Sequence, residues 1–140
     1  MDHKRFLVLV ALISVLIGCC AAVVVYSMVN DKDFTRRSLS PEDVSNSFLS
    51  ALKNGDYQAA FDLCDPGLQD ELIDPSNMQS EIERYHIQPV RWEMYSKRTT
   101  ADQAELVGSM EFQEAENGSF RIILRQVGED WKVAMFFMDR

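Results

Sequence analysis

An uncharged stretch from Phe6 to Val29 constrains this 140-residue chain more than any other feature. Its 24 residues include 14 Leu, Ile, Val or Phe. A helix of that length extends about 36 Å, and the hydrocarbon core of a bilayer is about 30 Å thick. The stretch therefore predicts a transmembrane signal anchor, with Lys4 and Arg5 in a cytoplasmic stub (residues 1–5) and a polar tether at residues 30–38.

Two other interpretations of the N-terminus stay open. Leu16–Cys19 resembles a bacterial lipobox, in which case Cys19 is lipidated and becomes the new N-terminus. The third interpretation is a secretory signal that is cleaved near Ala21–Ala22. The apolar run Val23–Tyr26 favours the anchor, because cleavage before it would expose it to water. All three interpretations place the following domain on the extracytoplasmic side of the cell membrane, beside the lipid bilayer.

Charge and cysteine content narrow the partners and cofactors of this domain. The formal net charge is −8, and nearly all of the acidic residues follow Val29. An acidic surface repels phosphates, so we expect no nucleic-acid partner. Cys64 is the only cysteine beyond the apolar stretch, which excludes a disulfide within the domain. No second His or Cys stands at metal-ligand spacing from His86, and we predict neither a metal nor a cofactor.

Residues 39–140 predict one domain whose first half is helical. Helix starts are indicated at Ser40–Pro41, Asp56, Asp65–Pro66 and Asp74–Pro75, where a capping side chain precedes each helical pattern. Apolar residues recur at helical spacing after each start. Pro89 ends this half, and the last helix is expected to run through His86 with Tyr85 facing inward.

The second half alternates with period two, which is typical of half-buried strands. Hairpin turns are indicated at Glu116–Gly118 and Gly128–Asp130. The opposite, outer face carries charges of both signs, including Lys97, as in a sheet with one solvent-exposed face. The pattern thus predicts an α+β fold with helices on one face of a four-stranded antiparallel sheet. The last strand is predicted to turn Trp131, Val133, Met135 and Phe137 toward the helices.

Two short motifs resemble a known superfamily. Asn54–Ala60, after an amphipathic helix, is similar to a conserved turn of NTF2-like (cystatin-like) domains, and Gly128–Val133 is similar to their closing hairpin. The resemblance covers residues 39–140 and is closest to small NTF2-like domains on bacterial membrane and lipoprotein anchors. It implies a cone, in which a curved sheet wraps around the helices, often with a pocket and often as a dimer.

Catalysis is not expected from these residues. NTF2-like enzymes place Asp or His inside the cone, and a general base needs an ionisable group there. The inward strand positions predicted here hold no titratable side chain, Asp62 and Asp65 are interpreted as solvated or capping residues, and His86 as a cap at a helix end. We therefore predict a non-catalytic binding or assembly role, the alternatives being small-ligand binding or an enzyme that uses the cone pocket.

Two groups of apolar side chains are the candidate sites. The first converges on the inner face and is either plain core or the lining of a pocket for a small apolar ligand: Phe48, Tyr57, Phe61, Tyr85, Trp92, Phe112, Phe120 and Trp131. The second interrupts the charges of the outer face and is the candidate interface of a homodimer: Val107, Ile123, Phe136 and Met138.

Overall fold

The structure is a computed structural model that describes residues 38–114 and 116–140. Ser38–Arg140 form one compact unit. The predicted stub, anchor and most of the tether, with Cys19, lie outside the described residues. Among the helices of the described ranges, none is both long enough and apolar enough to cross a membrane.

Four helices form the first layer, and each begins at a capping residue that the sequence indicated. They are α1 (Pro41–Lys53), α2 (Tyr57–Asp62), α3 (Pro66–Leu72) and α4 (Pro75–Arg84). Each preceding cap accepts backbone N–H groups of the first turn, as these short polar side chains do at helix starts. The caps are Ser40, Asp56, Asp65 and Asp74.

The second layer is an antiparallel sheet in the order β1-β2-β3-β4. Its strands are β1 (Pro89–Thr99), β2 (Gln103–Phe112), β3 (Asn117–Val127) and β4 (Asp130–Asp139). Buried and exposed side chains alternate most regularly along the central strand β2. The α+β fold with a four-stranded antiparallel sheet is therefore confirmed, and β1 and β4 are its two edges.

The core lies between the helices and the inner face of the sheet. Phe48 and Leu52 of α1, with Ile82 of α4, meet Leu106 of β2 and Ile122 of β3 there, and each is at most 1% exposed. Burying one such side chain contributes about 1.5–3 kcal/mol. Among the described residues, the side chains with less than 2% exposure extend from Val44 to Val133, so one core joins the helices to the sheet.

Register shifts bend both edge strands. The pairing of β1 with β2 skips Val90 and Tyr95, and the pairing of β4 with β3 skips Ala134. A skipped residue of this kind is a β-bulge, which bends the strand and reverses the facing of every residue beyond it. No Gly or Pro marks Tyr95 or Ala134, so a strict period-two pattern could not locate these two bulges.

The bulges overturn two predictions about facing. Beyond Tyr95, Lys97 lies on the inner side, where its ammonium contacts the Glu42 carboxylate of α1; its predicted position on the outer face is wrong. Beyond Ala134, the predicted facing of β4 is wrong for all four residues. Phe136 and Met138 pack against the core, whereas Met135 and Phe137 are exposed on the outer face.

Candidate functional site

The predicted pocket aromatics fill the interior of the domain. Phe48, Phe112 and Phe120 are at most 2% exposed, and the ring of Phe48 lies 5.1 Å from that of Phe136 at 58°, a tilted contact. The half-buried members pack around them, and they are Tyr57, Phe61, Trp92 and Trp131. The set is therefore joined by mutual packing, as in a core.

Tyr85 is the one pocket candidate that the structure separates from this group. Helix α4 ends at Arg84, and Tyr85 is its C-cap. His86 follows with φ +53°, and the N–H groups of His86 and Ile87 close the helix end on the carbonyls of Glu83 and Ile82. The chain therefore leaves the helix before Tyr85 can continue the inner stripe, and its side chain is 52% exposed. The predicted inward position of Tyr85 is wrong.

An apolar group on the outer face is the main surface feature. Val107 and Ile123 lie there as predicted, half-buried among their neighbours. The reversed register of β4 adds Met135 at 45% and Phe137 at 51% exposure, and Tyr95, which alternates with Arg91 and Glu93 along β1, is 66% exposed on the same face. We call these five residues the outer strip. Phe136 and Met138, predicted as interface residues, belong to the inner side instead.

A shallow hollow of about 420 Å³ opens within the outer strip. Tyr95, Val107 and Phe137 line it, with Arg121 and Asp139 as its charged members. Gly108 lies beneath this region, and a Cβ there would overlap the ring of Phe120 and the carbonyl oxygen of Glu93. The absence of a side chain at Gly108 therefore lets the Phe120 ring fill the interior below the hollow.

The charges of the outer face balance one another. Cross-strand pairs join Arg121 to Glu105, with 3.4 Å between Nε and Oε1, and Arg91 to Glu111, with 3.9 Å between Nε and Oε2. Such exposed pairs each contribute less than about 1 kcal/mol. By strand register this face carries five basic and five acidic residues, namely Arg91, Arg98, Arg121, Arg125, Lys132, Glu93, Glu105, Glu111, Asp130 and Asp139.

A polar cluster lies on the opposite side, where α1 meets β1. The hydrogen bond from Lys97 is the main reason that the pKa of Glu42 is lowered from its ordinary value. Glu42 Oε2 and the Oγ of the fully buried Ser45 have no hydrogen-bond partner among the described residues. Nearby on α1, Asn46 accepts a hydrogen bond of 2.9 Å from the indole N–H of Trp92.

The two buried groups at the start of α3 have structural explanations. The Asp65 side chain is 3% exposed; its Oδ1 accepts the N–H of Leu68 at 2.8 Å, and its Oδ2 lies 3.3 Å from Nη1 of Arg125. Burial, reinforced by the charge of Asp65, raises the pKa of Cys64 to about 12. A thiol with so little thiolate is a weak nucleophile, which agrees with a packing role.

His86 is exposed and has one charged neighbour. Its Nδ1 lies 3.5 Å from Oε1 of Glu114, beside a surface hollow of about 250 Å³ that Glu83 and Gln88 also line. Within residues 38–114 and 116–140, no three His, Cys, Asp or Glu side chains come close enough together to hold a metal ion.

Comparison with solved structures identifies the fold. No family model matches the chain, and no curated protein matches it. An NTF2-like protein of Campylobacter jejuni that is named a transpeptidase aligns with 69% of this chain and 99% of its own, at TM-score 0.53 and 17% identity. A DUF4783 family protein of Bacteroides uniformis aligns with 73% of this chain and 97% of its own, at TM-score 0.54 and 12% identity.

A third similar structure comes from Rhodopseudomonas palustris. It is a protein with a SEC-C motif, and it aligns with 70% of this chain and 77% of its own, at TM-score 0.56 and 15% identity. Identities this low bear on fold alone. The domain has an NTF2-like fold, as the resemblance of its two short motifs implied.

Sequence reasoning assigned Met135 and Phe137 to the wrong face, and it placed Tyr95 on the outer face without naming it as a candidate interface residue. One signal was available for β4: Ala134–Met138 is a run of five apolar residues without alternation. A run of that kind indicates that both faces of the strand are apolar, whichever register it adopts. For Tyr95 the signal is its alternation with Arg91 and Glu93 along β1, which places all three on the outer face.

Proposed function

We propose that this chain is a membrane-anchored, non-catalytic assembly protein whose NTF2-like domain binds a second copy of itself through the outer strip. One observation carries the proposal. The large apolar side chains of the inner face are packed against one another, whereas Tyr95, Met135 and Phe137 are at least 45% exposed on the outer face, where Tyr95 and Phe137 line one hollow with Val107. Exposed apolar surface of this kind marks association sites.

Charge and area favour a second copy as the partner. Residues 38–140 contain 9 Lys or Arg and 19 Asp or Glu, so two copies repel each other through most surfaces. By strand register the outer face holds equal numbers of basic and acidic residues. The charged ends of Arg125 and Lys132 contact Asp65 and the Asp62 carbonyl, and the remaining Arg and Glu residues are available to pair with those of another copy. Four strands of ten residues cover roughly 33 by 19 Å, an area that approaches the ~800 Å² per partner of a stable interface.

The non-catalytic role is supported by the ionisable groups near the core, because each has a structural contact or a pKa shift that opposes catalysis. Asp65 caps α3 and pairs with Arg125. Glu42 is held charged by Lys97, whereas a general base works best with a pKa raised toward neutrality. The high pKa of Cys64 opposes its use as a nucleophile.

The anchor rests on the sequence of residues 6–29 and on the absence of any charge there. We propose that it holds the domain on the extracytoplasmic face of the cell membrane. Carbonate-washed membranes of expressing cells are expected to retain the intact chain, and external protease is expected to digest the domain. Loss of retention on Cys19→Ala would instead indicate the lipoprotein, and a released chain that begins near residue 22 would indicate a cleaved signal.

Sedimentation equilibrium of residues 38–140 tests self-association. We expect a mass that rises above that of the monomer as the concentration is raised. Val107→Lys places an unpaired charge at the centre of the interface and should raise the dissociation constant at least about tenfold, which corresponds to ~1.4 kcal/mol. Ser47→Lys makes the same charge change on the exposed side of α1 and should leave the mass unchanged. A wild-type domain that stays monomeric at millimolar concentration would refute the proposal.

Binding of a small ligand is a second candidate function, and the unpartnered Oγ of Ser45 beside Glu42 favours it. A buried hydroxyl normally has a partner, and a ligand with a hydrogen-bonding group would supply one. Titration with the apolar dye ANS tests it. Saturable binding to the folded domain that Ser45→Ala weakens would support this function, and fluorescence that appears only on unfolding would exclude it.

A further inference from the structure

The two edges of the sheet are protected very differently. Edge β1 begins at Pro89, carries two bulges and bears charges at Arg91, Glu93 and Arg98. Proline, bulges and charged side chains are the features by which proteins prevent edge strands from pairing with other chains. Edge β4 has one bulge, and the four residues Met135–Met138 beyond it are uncharged and include no proline.

A short strap covers only the first part of edge β4. We give this name to Leu63–Asp65, which link α2 to α3. The N–H of Val133 donates to the carbonyl of Leu63 at 2.9 Å, and the N–H of Asp65 donates to the carbonyl of Val133 at 2.8 Å. Among the described residues, these are the only backbone hydrogen bonds of β4 outside its pairing with β3. The edge from Met135 onward therefore has no described cover.

We propose that the edge segment, Met135–Asp139, pairs antiparallel with the edge segment of a second copy and joins two sheets into one of eight strands. Such addition of a strand to an open edge gains main-chain hydrogen bonds along its whole length. The five residues extend about 17 Å. This interface lies at the edge of the sheet and does not require the dimer through the outer strip.

The order of charges along β4 favours a second copy as the occupant. On the outer face the order is Asp130, Lys132, Met135, Phe137 and Asp139, so a basic residue precedes the two apolar residues and an acidic residue follows them. An antiparallel partner of the same sequence presents the reverse order. Asp139 of one copy then lies toward Lys132 of the other, and the apolar residues meet between them. Like charges are thus kept apart in an acidic domain.

Among the registers that satisfy both the pleat and the strap, the one centred on Phe137 pairs the whole of Met135–Asp139. With Phe137 opposite Phe137 of the second copy, outer residues face outer residues, and Phe136 faces Met138. The pairing then ends before Val133, whose backbone groups the strap already uses. A shift by one residue would place outer residues opposite inner ones, and a shift toward the strap would require Val133 to exchange its partners.

Sedimentation of the full chain in detergent tests the inference with four proteins: the wild type, Met138→Lys, Val107→Lys and the double variant. Met138→Lys puts an inward charge at the edge and away from the outer strip, and Val107→Lys disables the outer strip alone. We expect the wild type to exceed a dimer, each single variant to form dimers, and the double variant to be monomeric. A folded Met138→Lys chain with the wild-type mass would overturn the edge pairing, whereas an unchanged Val107→Lys chain would overturn only the outer-strip dimer.

Hydrogen exchange provides a test without a substitution at the edge. In the Val107→Lys chain, raising the concentration should slow exchange at alternate amides of Met135–Asp139. The amides of edge β1 between Glu93 and Arg98 serve as the internal control and should not change. Exchange in Met135–Asp139 that is independent of concentration would overturn the inference, even if Met138→Lys failed to fold.

Discussion

The two sides of this domain differ in charge and in where their apolar side chains are exposed. The helical side and the loops carry 4 basic and 14 acidic residues of residues 38–140, and their exposed large apolar side chains, Leu39, Ile73 and Tyr85, lie at helix ends. The outer face of the sheet carries 5 basic and 5 acidic residues and leaves a strip of apolar side chains exposed. This contrast is the basis of our proposal that the domain associates through the outer face.

The largest expected difference is in the free energy of unfolding of two alanine variants. The two phenylalanines lie on opposite faces of adjacent strands. Phe120→Ala removes a ring that is 2% exposed, and we expect the free energy of unfolding to fall by about 3–5 kcal/mol because a cavity is left in the core. Phe137→Ala truncates a half-exposed ring and should cost the monomer less than about 1 kcal/mol. Urea unfolding at low protein concentration measures both. Equal losses would show that the outer strip is part of the core.

A smaller effect is expected from a single added methyl group. Gly108→Ala places a Cβ against the Phe120 ring and the Glu93 carbonyl, and overpacking of this kind costs about 1–3 kcal/mol. Gly67→Ala is the control, since its Cβ would meet only Asp65 Oδ1 at 3.5 Å and alanine favours a helix by up to about 1 kcal/mol. Thermal unfolding should therefore shift in opposite directions for the two variants. A neutral Gly108→Ala would show that space remains beneath the hollow.

The smallest effect concerns pH and the charged helical side. The pKa of Glu42 is lowered in the folded state, chiefly by the hydrogen bond from Lys97, so its contribution is present above the unfolded pKa of about 4.3 and is lost as pH falls through the folded pKa. Because Glu42 is partly exposed, its contribution to the free energy of unfolding is less than about 1 kcal/mol. Unfolding of Glu42→Gln between pH 7 and 2 should have a shallower acid slope than the wild type. An unchanged slope would show that the pair contributes nothing.

Most of the fold was readable from local chemistry. Helix starts at Ser40, Asp56, Asp65 and Asp74 followed from short polar caps, three of them before proline, and the inner face of β2 followed from strict alternation. These features depend on neighbours in the chain, which the sequence displays directly.

The candidate site was less predictable because it depends on register. The bulges at Tyr95 and Ala134 leave no local mark, yet they decide which face receives Lys97, Phe136 and Phe137. The positions of these bulges depend on how the strands pair and on how the sheet curves around the core. The same run of apolar residues in β4 is compatible with either facing, so its interface members could not be assigned from the sequence.

Hydroxyl-radical footprinting of the full chain tests the central claim most directly. Tyr95 lies in the outer strip at 66% exposure, and Tyr85 lies at the end of α4 at 52%, so one residue type reports on both places. On raising the concentration from that of the monomer to that of the assembled chain, we expect oxidation of Tyr95 to fall severalfold and that of Tyr85 to stay constant. Unchanged oxidation of Tyr95 in a chain that has associated, or protection of Tyr85 instead, would contradict the account.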